Sequence, residues 1–178
     1  PVLRGWMAFA HLLSKVTIGK TATDPHPKIT TYTYTDRAER LREVKGNGNT
    51  VDHTYFLDGL LRTQVEKKPN QTVVSEHTLD YDLNGNRTRD VSRKMNADNH
   101  AAYLATTADY TYDPRDRIVQ VAKTGHGAGT ESYVHDANSN VISQTVGGVS
   151  ATFNYDRNRL LSAVSGGVTA SYNYDPFG

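Results

Sequence analysis

The sequence predicts an all-β fold: an antiparallel meander of hairpins, built from one repeated unit and wide enough to form a curled sheet. Three observations predict it. The first is an aromatic–polar–aromatic–acid step that recurs along the chain. It occurs at Tyr32/Tyr34, His53/Tyr55, Leu79/Tyr81, Tyr110/Tyr112, Tyr133/His135, Phe153/Tyr155 and Tyr172/Tyr174. Aligned on the second member, successive copies are 21, 26, 31, 23, 20 and 19 residues apart. A repeat of that period marks a modular array. The second observation is a set of tight-turn dipeptides between alternating runs: Asn47-Gly48, Asp58-Gly59, Asn84-Gly85, Gly147-Gly148 and Gly166-Gly167. The third is composition: 11 Tyr, only 2 Met, and 14 Gly in 178 residues, the usage of a strand-and-turn protein.

Residues 1–27 lack the repeat. Trp6, Phe9, Leu12, Leu13 and Val16 sit at spacings near three and four, which allow a short amphipathic helix. Ala8, Ala10 and Leu12 also fit a strand. The single Trp is expected to plug one end of the sheet, as lone tryptophans commonly do. Thr23-Asp24-Pro25-His26-Pro27 reads as a loop. From Lys28 onward the pattern is strand, turn, strand, turn, so a repeat array over 28–178 follows the non-repeat segment. In the first copy Tyr32 and Tyr34 share a face, because side chains two apart on a strand point the same way. The segment from Met95 to Thr106 is the longest insertion and is allowed one helical turn. Insertions in repeat arrays map to loops on one rim.

The unit has a physical reading. Rings at i and i+2 can build cross-strand ladders over successive repeats. The acid after the second ring, as in Asp82, Asp113, Asp136, Asp156 and Asp175, can cap the turn's backbone N–H groups. Four residues after the second ring, Gly59, Gly85 and Gly178 supply a positive φ without steric cost. One such unit cannot bury its own apolar face, so units must lie side by side.

Tyr81-Asp82-Leu83-Asn84-Gly85-Asn86-Arg87, Tyr155-Asp156-Arg157-Asn158-Arg159-Leu160 and Tyr174-Asp175-Pro176-Phe177-Gly178 resemble the YD repeat of the RHS (rearrangement hotspot) family. The resemblance covers about residues 28–178. The chain departs from the pattern at His135, Thr35 and Phe56, and at Asp116 and Arg159 in place of Gly, which suggests drift in a scaffold. The resemblance implies large bacterial secreted or cell-surface proteins whose repeats form a sheet spiralling into a hollow shell around a variable toxin domain, delivered in some systems by a secretion apparatus. Related repeats occur in the C subunits of insecticidal toxin complexes and in teneurins. The family's core-closing segment ends in Asp-Pro-x-Gly-Leu. Asp175-Pro176-Phe177-Gly178 only resembles its start and follows an ordinary repeat step, so no protease residue is carried over.

Composition narrows the chemistry. Net charge is +1 with scattered basic residues, which gives no support for electrostatic capture of nucleic acid. There is no cysteine, hence no disulfide and no thiolate metal site. No apolar run is long enough for a membrane-spanning helix. None of the seven histidines, His11, His26, His53, His77, His100, His126 and His135, falls in a metal-binding spacing. His53 and His135 stand in aromatic positions. Gly125-His126-Gly127-Ala128-Gly129 lacks the Lys-Ser/Thr of a phosphate loop. Asn70-Gln71-Thr72 and Asn86-Arg87-Thr88 match the glycosylation sequon. The expected role is a non-catalytic scaffold segment of an RHS shell, with no cofactor and no metal. Its expected partners are the remainder of a longer polypeptide, a second shell protein, or an enclosed toxin domain. The alternative is an extracellular module that binds carbohydrate or protein. The open first and last strands and the stop in mid-unit at Gly178 read as marks of a piece of something longer.

Overall fold

The computed structural model describes residues 2–7, 12–19 and 28–175, the first of these as backbone alone. Fifteen strands follow one another. They are β1 (Val2–Met7), β2 (Leu13–Gly19), β3 (Lys28–Tyr34), β4 (Arg40–Val44), β5 (Thr50–Tyr55), β6 (Leu61–Lys67), β7 (Val73–Tyr81) and β8 (Arg87–Met95). Then come β9 (Tyr103–Tyr112), β10 (Ile118–Gly125), β11 (Gly129–His135), β12 (Val141–Val146), β13 (Val149–Asp156), β14 (Arg159–Ser165) and β15 (Val168–Ser171). Strand order is chain order, a pure meander. Paired strands run antiparallel, as short turns between consecutive strands require. The described residues contain no helix. Two compact units are distinguished: Pro1–Asp80 with Val91–Ala105, and Tyr81–Asp90 with Thr106–Gly178.

Of the helix and strand readings open for Trp6 to Val16, the described residues on either side of 8–11 are in strands. Val2–Met7 pairs with Leu13–Gly19, with Leu3 opposite Ile18 and Gly5 opposite Val16. A helical spacing over two turns is weak against an adjoining hairpin that leaves β2 a partner on both sides. The expected plug role of Trp6 concerns a side chain outside the described ones. His11, His26, the loop over 23–27 and the Gly178 bend also fall outside the described residues.

The two faces of the sheet differ. In the first unit one cross-strand row runs Tyr32, Glu43, Val51, Glu66, Ser75. In the second unit the corresponding rows run Tyr110, Val121, Glu131 and Tyr133, Gln144, Ala151, Ser165, Val168. Rings and long polar side chains thus stand beside a floor of small aliphatic residues. The buried apolar side chains, Val51, Leu79, Ala108, Val121 and Ala151, belong to this aromatic face. In the second unit the opposite face is rich in short hydroxyl side chains, whereas in the first it carries Arg42, Asp52, Val65 and Glu76. The second unit's rows include Ser132, Thr145, Ser150 and Val134, Ser143, Thr152, Val164, Thr169. Most of that face is exposed in β13 and β15.

The core is therefore one row deep. The tyrosines are half-buried, and Tyr172 and Tyr174 stay 43% and 42% exposed. Rings contact arginines across the repeats: Arg40 over Tyr32 at 4.9 Å, Arg93 over Tyr103 at 5.1 Å and Arg159 over Tyr174 at 5.6 Å. His53 and Tyr55 stack within one strand at 6.5 Å. The ladder expected of successive rings is, at these positions, a guanidinium-on-ring arrangement.

The insertion is also shorter than its sequence suggests. β8 and β9 are nine and ten residues long. Longer strands thus absorb part of the 31-residue step, and the loop is 96–102. Asn96 and Asn99 each accept a backbone N–H two residues on, from Asp98 and Ala101. These side-chain turns take the place of a helical turn there.

Candidate interface: the acidic-turn rim

The feature that recurs with the repeat is the turn after each second aromatic. At Thr35–Glu39, Phe56–Leu60, Asp82–Asn86, Asp113–Arg117 and Asp136–Asn140 the backbone geometry is the same. The first residue's N–H donates to the fifth residue's carbonyl, and the fourth residue's N–H donates back to the first carbonyl. This is a three-residue hairpin loop that ends in a left-handed residue and a bulge. The strand register shifts where it must, between Thr33 and Tyr34, Thr54 and Tyr55, and Val134 and His135. The left-handed position is Ala38 (φ 64°), Gly59 (90°), Gly85 (85°), Asp116 (59°) and Ser139 (71°). After Tyr155 the turn is one residue shorter, with Arg157 and Asn158 at φ 49° and 67°. Arg159 therefore starts β14 and holds no turn position.

The acid is consumed by the turn it opens. One oxygen of Asp82 accepts the N–H of Asn84 and Asn86 at 2.9 and 2.8 Å, and the other accepts the Asn86 side-chain amide at 3.1 Å. Asp113 accepts N–H groups of Arg115 and Arg117 at 2.9 and 3.1 Å, and the Arg117 guanidinium at 2.7 Å. Asp136 repeats the set with Asn138 and Asn140. Hydrogen bonding to the charged form depresses a carboxyl pKa. The Arg117 side chain, opposed by desolvation and helped by backbone N–H groups, holds Asp113 down to about 2. Asp136 is lowered by the Asn140 amide first. For Asp82 desolvation works the other way and is outweighed by Asn86 and the turn's N–H groups.

The departures from the acid keep its job by other means. Thr35 Oγ1 accepts the N–H of Arg37 and Glu39 at 3.3 and 3.2 Å. Phe56 has no acceptor, and Asp58 two residues on accepts the Leu60 N–H at 3.1 Å.

The second aromatic locks the strand it follows. The hydroxyl of Tyr34 donates to the Leu13 carbonyl at 2.7 Å and that of Tyr55 to Arg40 at 2.8 Å. Tyr112 does the same to Arg87 at 2.8 Å and Tyr174 to Leu160 at 2.9 Å. Each acceptor lies at the start of the preceding strand. The hydroxyl, which sequence periodicity does not reveal, explains why Tyr rather than Phe takes this place. His135 stands there without a hydroxyl, and its Nδ1 is buried without a partner, as is Nδ1 of His53. Burial first, then Arg40, pushes the His53 imidazole below its ordinary value.

Turns also hold one another. In the first unit the Arg37 guanidinium donates to the carbonyls of Leu57 and Phe56. In the second, Arg115 donates to the Ala137 carbonyl at 2.7 Å and Arg117 to the Asp136 carbonyl at 2.7 Å. Asn84 and Asn86 reach Asp116, and Asn140 reaches Asn158. The remaining repeat positions, Tyr110, Phe153, Asp156 and Asp175, fall on or beside β9, β13 and the stretch after β15. A shallow depression of about 430 Å³ lies between the turns of the first unit, lined by Arg37, Glu39, Leu41, His53 and Tyr55 among others. Among the described residues no group of three or more His, Asp or Glu is placed to hold a metal ion. No helix of the described residues is long and apolar enough to cross a membrane.

No family model matches the chain. Among curated proteins it is similar to the tRNA nuclease WapA of Bacillus subtilis, 26% identical over 134 residues and 67% of this chain. It is also similar to the tRNA(Glu)-specific nuclease WapA of Bacillus subtilis subsp. natto, 30% identical over 89 residues and 50% of this chain. The chain spans only 5% and 3% of the length of these relatives. Among solved structures it is similar to TcdB2-TccC3 without its hypervariable C-terminal region, at 15% identity and a TM-score of 0.46, covering 88% of this chain and 11% of that one. A porin-like protein from Bacteroides uniformis matches at 13% identity and a TM-score of 0.42, covering 92% and 80%. The recurring aromatic–acid turn, with its shared hydrogen-bond pattern, is the unit that resembles the YD repeat of the RHS family.

Proposed function

We propose that this array is a scaffold segment of an RHS shell that encloses or presents a toxin domain and performs no catalysis itself. The supporting observation is the use of the recurrent carboxylates. Asp82, Asp113 and Asp136 spend both oxygens on their own turns. A general acid or base needs a carboxyl free to meet a substrate proton, whereas a repeated cap needs what is seen here. The relatives named as tRNA nucleases are far longer than this chain, so nuclease chemistry in a parent of that kind belongs to another segment. A secreted or cell-surface location follows the same reading. The domain boundary between the non-repeat start and the array belongs near Lys28, where the first complete unit opens.

The test is direct. Purified chain is incubated at equimolar ratio with total tRNA, with and without magnesium, and the RNA is resolved on denaturing gels. Intact tRNA is expected. Cleavage that persists through repurification and disappears in an Asp82→Asn, Asp113→Asn, Asp136→Asn variant would overturn the scaffold reading.

A further inference from the structure

After the first turn, which holds Ala38, the left-handed turn position departs from glycine three times: Asp116, Ser139 and Asn158. A side chain there costs about 1–2 kcal/mol of backbone strain relative to glycine. Drift does not explain why each replacement carries an acceptor, nor where each acceptor points.

Asp116 Oδ1 accepts the Asn86 amide at 2.7 Å and the Asn84 amide at 3.0 Å. Asn158 Oδ1 accepts the Asn140 amide at 2.9 Å. Ser139 Oγ lies 3.4 Å from the Arg117 guanidinium. In every case the donor on the fifth residue of one turn meets the left-handed residue of the next. In the first unit the same two places adjoin with the polarity reversed. Glu39, an acceptor, closes the first turn, and the next turn has glycine. A Cβ on Gly59 would lie 3.4 Å from the Glu39 carboxylate, so an Asp there would face like charge.

We infer that these two positions form an adjacency code, by which a repeat accepts as its neighbour a repeat whose turn is chemically complementary. A donor at the fifth place selects Asp, Asn or Ser at the next left-handed place. A non-donor selects glycine. The partner each turn recognises is thus another YD-repeat turn, and the strain at Asp116 and Asn158 is offset by the bonds they accept.

A double-mutant cycle on the full chain tests this, read by urea unfolding. In an Asn84→Ala/Asn86→Ala background, Asp116→Gly is expected to raise the folding equilibrium constant about threefold to tenfold, because only strain is removed. In the native background the same change is expected to leave it level or lower it. Asn86→Leu alone is expected to destabilise, and Asn86→Leu/Asp116→Gly to recover, since the double variant leaves neither an unmet acceptor nor a strained side chain at position 116. Ala38→Gly, which no fifth-place donor faces, serves as a control and should stabilise by the same factor in every background. An equal factor for Asp116→Gly in both backgrounds overturns the inference. Should a variant unfold, amide hydrogen exchange in Asp116→Gly decides. Exchange in turn 82–86 at least tenfold faster, with β11 to β14 unchanged, supports the code, and unchanged exchange in that turn overturns it.

Discussion

Truncating Leu79 to alanine is expected to cost about 2–4 kcal/mol of unfolding free energy, measured by urea denaturation followed by far-ultraviolet circular dichroism. Leu79 is 4% exposed and is the largest of the five buried apolar side chains among the described residues. The others are two valines and two alanines. With so few groups out of water, removing three carbons from the largest should weigh more than in a two-layer domain. Leu57 and Leu83 provide the contrast, because both stand fully exposed at turn tips. Their alanine variants should stay within about 0.5 kcal/mol of the parent. Equal losses at Leu79 and Leu83 would show that the aromatic face is not where stability resides.

Acid should loosen the rim. An unfolded aspartate titrates near 3.9, as about 4, and Asp113 in the folded chain titrates at about 2. Its folded value is depressed, so its contribution is fully present above pH ~4 and is lost as pH falls from about 4 toward about 2. Asp82 and Asp136 are shifted in the same direction. The urea midpoint is therefore expected to hold between pH 7 and 5 and to drop steeply from pH 4 to 2. Asp113→Asn keeps an acceptor for the turn's N–H groups and loses the charge paired with Arg117. It should lower the midpoint at pH 7 and flatten the acid limb. An acid limb that is as steep in the triple Asp82→Asn, Asp113→Asn, Asp136→Asn variant would exclude the rim as its source.

The period, the strand-turn alternation and the Gly-Gly hairpins are legible in the sequence because their causes are local. Gly147-Gly148 and Gly166-Gly167 take paired positive φ values whatever surrounds them. The capping role of Asp82, Asp113 and Asp136 is legible for the same reason, since the groups they bind lie two and four residues away. What stays hidden depends on partners at a distance. Asp116 reads as drift until Asn86, thirty residues earlier, is found against it. The Tyr112 hydroxyl shows no purpose until the Arg87 carbonyl is placed beneath it. The hydroxyl face is invisible to a reading that follows the rings, because its Thr and Ser residues fill the intervening positions. At the N-terminus local spacing leaves helix and strand both open, and the described strands are seen only in the pairing of Val2–Met7 with Leu13–Gly19.

The one-row core has a calorimetric consequence. Heat-capacity change on unfolding scales with apolar surface newly exposed to water and is reduced by polar surface, with about 12–15 cal/mol/K per residue typical of globular domains. A chain whose buried apolar set, among the described residues, is Val51, Leu79, Ala108, Val121 and Ala151, and whose rings are only half-buried, should fall below that range. Its stability then varies little with temperature over a broad span.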